Sequence, residues 1–251
     1  MEQDGGSRVE SRMPPARVRD VMLVMLSLAA GCVDAVGYLG LGHIFVANMT
    51  GNTVLFGLAL GQAKGQAALR AIVALGGFIV GVGVGAVIVG PEGEEATWPP
   101  AVTAALTVEL VVLVMLAAGW FLASSEPAGG VVYALICLLA LAMGIQSAAV
   151  RRLGVPGVAT TYITGTLTSL TEAAIGRLRP AVYAAVSEEA RAEWPSARGL
   201  VLPADVWLAY GTGAIIVGVI ALWWPEGVLS VPAAVIALVV VIAVIRFRPR
   251  R

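Results

Sequence analysis

Apolar residues gather into eight segments along this chain, at about 21–41, 44–61, 68–90, 101–122, 130–150, 158–175, 206–224 and 227–245. Each holds about 18–23 residues, close to the ~20 that carry an α-helix across about 30 Å of hydrocarbon. A segment in lipid must satisfy its own backbone hydrogen bonds, which a helix does and an isolated strand does not. The period-two alternation of a membrane barrel is absent. The pattern predicts an all-α, polytopic membrane helix bundle with about eight hydrophobic segments.

The polar stretches set the boundaries. Residues 1–20 form a polar tail with four arginines and the pair Pro14-Pro15. A single transmembrane domain is expected over 21–246, and the basic run Arg246 to Arg251 closes the chain. Inside the domain, Glu92, Glu94 and Glu95 mark an acidic loop, and 176–203 is a longer charged insertion. Leu28-Ala-Ala-Gly-Cys32 has the form of a lipoprotein cleavage box. The apolar pattern continues past the cysteine and seven segments follow, so a signal anchor is expected instead. Trp207, Trp223 and Trp224 stand near segment ends, where an interfacial aromatic belt would place them.

Two of the eight segments carry polar residues where apolar ones are expected. Phe45-Val-Ala-Asn-Met-Thr-Gly-Asn-Thr-Val54 is one, and Val158-Ala-Thr-Thr-Tyr-Ile-Thr-Gly-Thr-Leu167 is the other. Thr50-Gly51 answers to Thr164-Gly165 at an offset of 114 (164 − 50). Gly31-Cys-Val-Asp34 answers to Gly144-Ile-Gln-Ser147 at 113 (144 − 31). The chain therefore reads as two repeated halves, 21–122 and 130–245, with 176–203 inserted in the second.

Charge restricts the topology without fixing the number of crossings. If all eight segments cross, 14 of the 16 basic residues fall inside and only Arg151 and Arg152 lie outside. If segments two and six re-enter, six cross, and Lys64 and Arg70 are the two outside. Both arrangements put both termini in the cytoplasm. Eight crossings make the halves parallel repeats and six make them inverted ones. The length and apolarity of 44–61 favour eight.

Composition agrees with a membrane protein and excludes several activities. The chain is 59% hydrophobic and 13% charged, against about 45–50% and about 25% in soluble domains. Its 16 acids balance its 16 bases, so no global field favours nucleic acid. Two cysteines, Cys32 and Cys137, rule out a disulfide framework, and a lone His43 cannot build a histidine metal site. No phosphate loop, zinc motif or nucleophile elbow occurs. Gly81-Val-Gly-Val-Gly85 lies in apolar helix context and reads as a packing surface. No enzyme activity and no cofactor or metal are expected.

Ionisable and polar groups at membrane depth are costly and so are candidates for function. Asp34 and Glu109 are the candidate proton- or ion-coupling acids; the alternative is that they hold helices together. Glu172 lies near a segment end and is expected to be solvated. Thr50, Gly51 and Asn52 with Thr164, Gly165 and Thr166 form the stronger group. Glycine permits a break or close backbone approach, and the hydroxyl and amide groups both donate and accept. With Asp34, Asn48, Gln146, Ser147 and Thr161 they make a candidate site for a small polar solute or ion. Packing of small residues between helices would explain the same pattern. Arg151 and Arg152 are interfacial anchors or an anion contact.

The motifs Ala30-Gly-Cys-Val-Asp-Ala35, Phe45 to Asn52, Met143-Gly-Ile-Gln-Ser147 and Thr160-Thr-Tyr-Ile-Thr-Gly-Thr166 together resemble one family. It is the YoaK-like family of small bacterial integral membrane proteins, a domain of unknown function. The resemblance covers roughly residues 20–246. It implies a multi-pass protein of the bacterial inner membrane and brings no substrate, cofactor or reaction. The stretch around Glu188 to Arg198 is longer than the family pattern. The expected activity is that of a non-ATP-driven transporter or channel-like protein, the alternative being a membrane scaffold or regulatory subunit. The expected partners are the lipid bilayer and a small polar solute or ion, with a homo-oligomer left open.

Overall fold

The computed structural model describes residues 13–91, 96–123, 129–161, 163–178 and 198–247. Among them run eight α-helices: α1 Pro15–Gly40, α2 Met49–Gly61, α3 Gly65–Val89, α4 Pro100–Ala123, α5 Gly130–Arg152, α6 Ile163–Leu178, α7 Arg198–Trp223 and α8 Ser230–Arg246. A short 3₁₀ turn, Pro225–Gly227, leads into α8. No strand occurs among the described residues.

Six of these elements are long and apolar enough to cross a membrane: α1, α3, α4, α5, α7, and α8 taken with its 3₁₀ turn. α2 and α6 are not. Thirteen residues make α2 about 20 Å long, and sixteen make α6 about 24 Å, short of the about 30 Å of hydrocarbon. The expectation that 44–61 crosses as one helix is corrected here. Its first residues, Ile44 to Asn48, are not helical, because the chain reverses after Gly40 through Gly42 (φ 84°) and His43 (φ 61°). Residues 153–160 likewise break the chain before α6, with Gly154 and Gly157 at positive φ. The first helix starts at Pro15 rather than Val21, with Pro at its first position as helix sterics favour. α7 starts at Arg198, inside the expected insertion; residues 179–197 of that insertion, the tail 1–12 and Glu92, Glu94 and Glu95 lie outside the described residues.

α1 and α5 form the centre. Their apolar stretches are 67% and 56% buried, whereas those of the other four long helices are at most 39% buried. The outer helices turn Ile79, Val87, Ile215, Leu222 and Ile245 outward, as lipid contact requires. Trp223 and Trp224 are exposed at the end of α7.

Two helix pairs pack most closely, α3 with α5 and α1 with α7. Both crossings depend on missing side chains. A Cβ on Gly31 would strike the carbonyl of Tyr210, and one on Gly213 would strike that of Leu28. On the other pair, a Cβ on Gly144 would strike the carbonyl of Phe78, and one on Gly81 that of Leu141. The residues match: Leu28 and Leu141 are 113 apart, as are Gly31 and Gly144, while Phe78 and Tyr210 are 132 apart, as are Gly81 and Gly213. Gly77 and Gly85 extend the α3 face against α5; of the expected packing run, Gly81 and Gly85 take that role and Gly83 does not. Weaker pairings follow the same rule: α2 lies on α3 as α6 lies on α7, and α4 lies on α5 as α8 lies on α1.

Filling these crossings should cost stability where filling open glycines does not. Gly81→Val and Gly213→Val force two backbones apart, and overpacking of this kind costs about 1–3 kcal/mol. Gly83 and Gly218 have nothing within reach of a Cβ. Thermal unfolding in detergent should show both Gly81→Val and Gly213→Val well below wild type and Gly83→Ala close to it. Equal loss at Gly83 and Gly81 would contradict the role given to the crossings.

Candidate functional site

The break between α1 and α2 is held from below by Asp34. This residue is buried on α1, one turn beyond the Gly31 crossing. Its Oδ1 accepts backbone N–H groups of Val46 at 2.7 Å, Ala47 at 2.6 Å and Asn48 at 3.4 Å. Its Oδ2 accepts the hydroxyl of Tyr210 from α7. Three successive amides thus find at one carboxyl the partners that a helix would have given them. Asn48 then caps α2, its Oδ1 accepting from Gly51 N at 3.0 Å.

Asn52 clamps the same loop from the other side. Its Nδ2 donates to Phe45 O at 2.6 Å and its Oδ1 accepts from Phe45 N at 3.0 Å. Thr166 does this in the second half: its hydroxyl lies 3.3 Å from both the N–H and the carbonyl of Ala159. The offset is 114 for each pair, Asn52 to Thr166 and Phe45 to Ala159. Gln146 on α5 ties the second break to α1, donating to Leu26 O at 3.2 Å and to Thr160 Oγ1 at 3.0 Å. Its Oε1 is buried without a hydrogen-bond partner among the described residues. Ser147, at the position matching Asp34, shares a hydrogen bond of 3.1 Å with Thr161.

A cavity of about 400 Å³ lies where the two breaks meet. Its polar lining is Asn48, Thr50, Ser147, Thr161, Thr164 and Tyr210. Its apolar lining is Ala47, Met49, Phe78 and Ile163. Asn48 to Thr50 are the start of α2, and Ile163 and Thr164 are the start of α6. Both short helices therefore turn their N-terminal ends, the positive ends of their dipoles, to one space.

The structure thus brings five of the sequence-derived candidates together: Asn48, Thr50, Ser147, Thr161 and Thr164. Others have different places. Asn52 and Thr166 are buried and hydrogen-bond the loops rather than line the cavity. Asp34 lies behind the wall with both oxygens engaged. Gly51 presses against the ring of Phe45, where a Cβ would come within 2.9 Å, and Gly165 is not among the lining residues. Gln146 is a strut between α5 and α1. Arg151 and Arg152 end α5 away from the cavity, Arg151 exposed and Arg152 half-buried. Glu109 is fully buried on α4, both oxygens without a hydrogen-bond partner among the described residues, and does not line the cavity. The reading of the polar pattern missed Phe78 and Tyr210. Their signal was present: each precedes a crossing glycine by three positions, Gly81 and Gly213.

Among the described residues no group of three His, Cys, Asp or Glu could hold a metal ion. Among the described residues, six apolar helices of membrane length and a seventh, shorter one define a polytopic helical membrane protein. Residues 22–242 match the family model described as "Protein of unknown function (DUF1275)", and the chain belongs to that family. It is 45% identical over 166 residues to the UPF0700 transmembrane protein YoaK of Bacillus subtilis (strain 168), covering 66% of this chain and 72% of that one. No solved structure matches it.

The Asp34 arrangement predicts a graded response to substitution. Asp34→Asn keeps an Oδ1 for the three amides and places Nδ2 where the Tyr210 oxygen can accept. Asp34→Ala leaves those amides without a partner, at about 1–3 kcal/mol for each buried group. Folded yield and thermal unfolding should place Asp34→Asn near wild type and Asp34→Ala far below. Equal stability of the two would mean that the carboxyl does not hold the loop.

Proposed function

We propose that this protein passes a small polar solute across the bacterial inner membrane, without ATP, through the cavity between α2 and α6. One observation carries the reading: two short helices, each too short to span, begin at a single polar cavity. Discontinuous helices that meet at the membrane midplane are a recurrent way to build a solute site in secondary transporters. A helix bundle stabilised by packing alone has no need of unwound backbone beside a cavity, since each break forfeits helical hydrogen bonds that must be replaced.

The pairing of crossings supports a duplicated architecture. α1, α2, α3 and α4 correspond to α5, α6, α7 and α8, and the larger offset between α3 and α7 reflects the inserted polar stretch. Six crossings put three long helices in each half, so the halves are inverted repeats. α2 and α6 then re-enter from opposite faces, with Arg151 and Arg152 inside and Lys64 and Arg70 outside. Both termini are cytoplasmic in this arrangement, as the basic residues favour. Arg246 donates to Met13 O at 2.7 Å, which is consistent with the two ends lying on one face.

Topology and passage can be tested separately. With α2 re-entrant, Gly65→Cys should react with an impermeant maleimide in intact cells from which the outer membrane has been removed; protection would restore eight crossings. For passage, purified full-length protein in proteoliposomes should admit polar solutes above the rate of protein-free vesicles. Thr50→Cys should keep that flux until a methanethiosulfonate reagent adds bulk in the cavity, then lose it. Full labelling with undiminished flux would place the route elsewhere. No flux for any solute tested, with a protein partner retained on purification, would favour the scaffold.

A further inference from the structure

We infer that the solute is uncharged and polyhydroxylated, of the size of a small polyol. This rests on the reading of the cavity as a transport site and goes on to its chemistry. None of the ten lining residues is charged. An ion entering would lose hydration with no countercharge to replace it, a cost of several kcal/mol for a charge in a poorly hydrated site. The ends of α2 and α6 oppose a cation. At the start of α2 the amides of Val46, Ala47 and Asn48 point at Asp34 and that of Gly51 at Asn48 Oδ1, so none of these four is left for an anion.

The lining does suit hydroxyl groups. Thr50 and Thr164 can each donate and accept, and the hydrogen-bonded pair Ser147 and Thr161 keeps one donor between them with acceptor capacity on both. Asn48 has its Oδ1 engaged by Gly51 N, which leaves its amide hydrogens to donate. Tyr210 gives its hydrogen to Asp34, so it offers the cavity an acceptor. A polyol presents donors and acceptors on one side and C–H groups on the other. Phe78, Met49 and Ile163 provide the apolar surface for those C–H groups. A volume of about 400 Å³ falls within the 300–1,000 Å³ usual for small-molecule sites.

Uptake of labelled ribitol, lactate and choline into proteoliposomes of the full chain tests this, at zero potential and with an inside-negative potassium diffusion potential. Ribitol should enter faster than into protein-free vesicles, at the same rate at both potentials. Thr164→Val removes one hydroxyl and keeps its shape, so ribitol uptake should fall by about fivefold or more. Thr50→Val is the second variant, and gel filtration of each confirms that it folds. Uptake of lactate or choline alone would overturn the uncharged class and leave transport standing. Ribitol uptake unchanged in both folded valine variants would overturn the assignment to this cavity. Uptake of none of the three would overturn the solute class and the transport reading together.

Discussion

Unpaired backbone is the constraint on which this structure depends. Residues 41–48 and 153–160 leave the helical path, and Leu41, Ile44, Val46, Ala47 and Thr160 do so where they are buried and water does not replace the lost bonds. Each stranded N–H or carbonyl must find a protein partner. Asp34 takes three amides, Asn52 takes both groups of Phe45, and Thr166 takes both groups of Ala159. The polar residues in the apolar segments therefore serve first to make the breaks affordable. The cavity is what the breaks leave between them.

The two breaks are held by different chemistry. The first uses a carboxyl and an amide, Asp34 and Asn52. The second uses hydroxyls, Ser147 and Thr166, with Gln146 added as a strut. The Asp34 carboxyl accepts three loop N–H groups, whereas the Thr166 hydroxyl pairs with the N–H and carbonyl of one residue, Ala159.

Much of this was legible in the sequence, and the rest was not for definable reasons. Apolar run length showed the helices and the membrane class, because hydrocarbon thickness selects length directly. It could not show that Ile44–Gly61 is a loop followed by a short helix. Ile44, Phe45, Val46 and Ala47 are as apolar as any helix residue; Ile44, Val46 and Ala47 are buried and Phe45 is half-buried. What distinguishes them is that Val46 and Ala47 give their amides to Asp34, twelve and thirteen positions back, and Phe45 pairs its backbone with Asn52. Of the two Thr-Gly pairs, Thr50 and Thr164 line the cavity and Gly51 and Gly165 do not. Hydrophobicity alone could not separate Thr50, which lines it, from Asn52, which turns away; that depends on which face of α2 meets the loop. Phe78 and Tyr210 were hidden because aromatic residues are ordinary in membrane helices, and only the glycines three positions on reveal their places.

The crossings also determine when the chain can fold. α1 packs closely on α7 and α3 on α5, so each tight pair takes one helix from each half. Gly31 leaves the ribosome about 180 residues before Gly213, the glycine it must meet. At about 5–20 residues per second, that wait is on the order of ten seconds or longer. During it α1 is in the bilayer with its smooth face covered only by lipid or by whatever holds nascent helices. Neither half can close its own core before the other is made. Insertion and folding are therefore separate events in this protein, and a chain cut between α4 and α5 would yield two inserted fragments that complete each other, not two small domains.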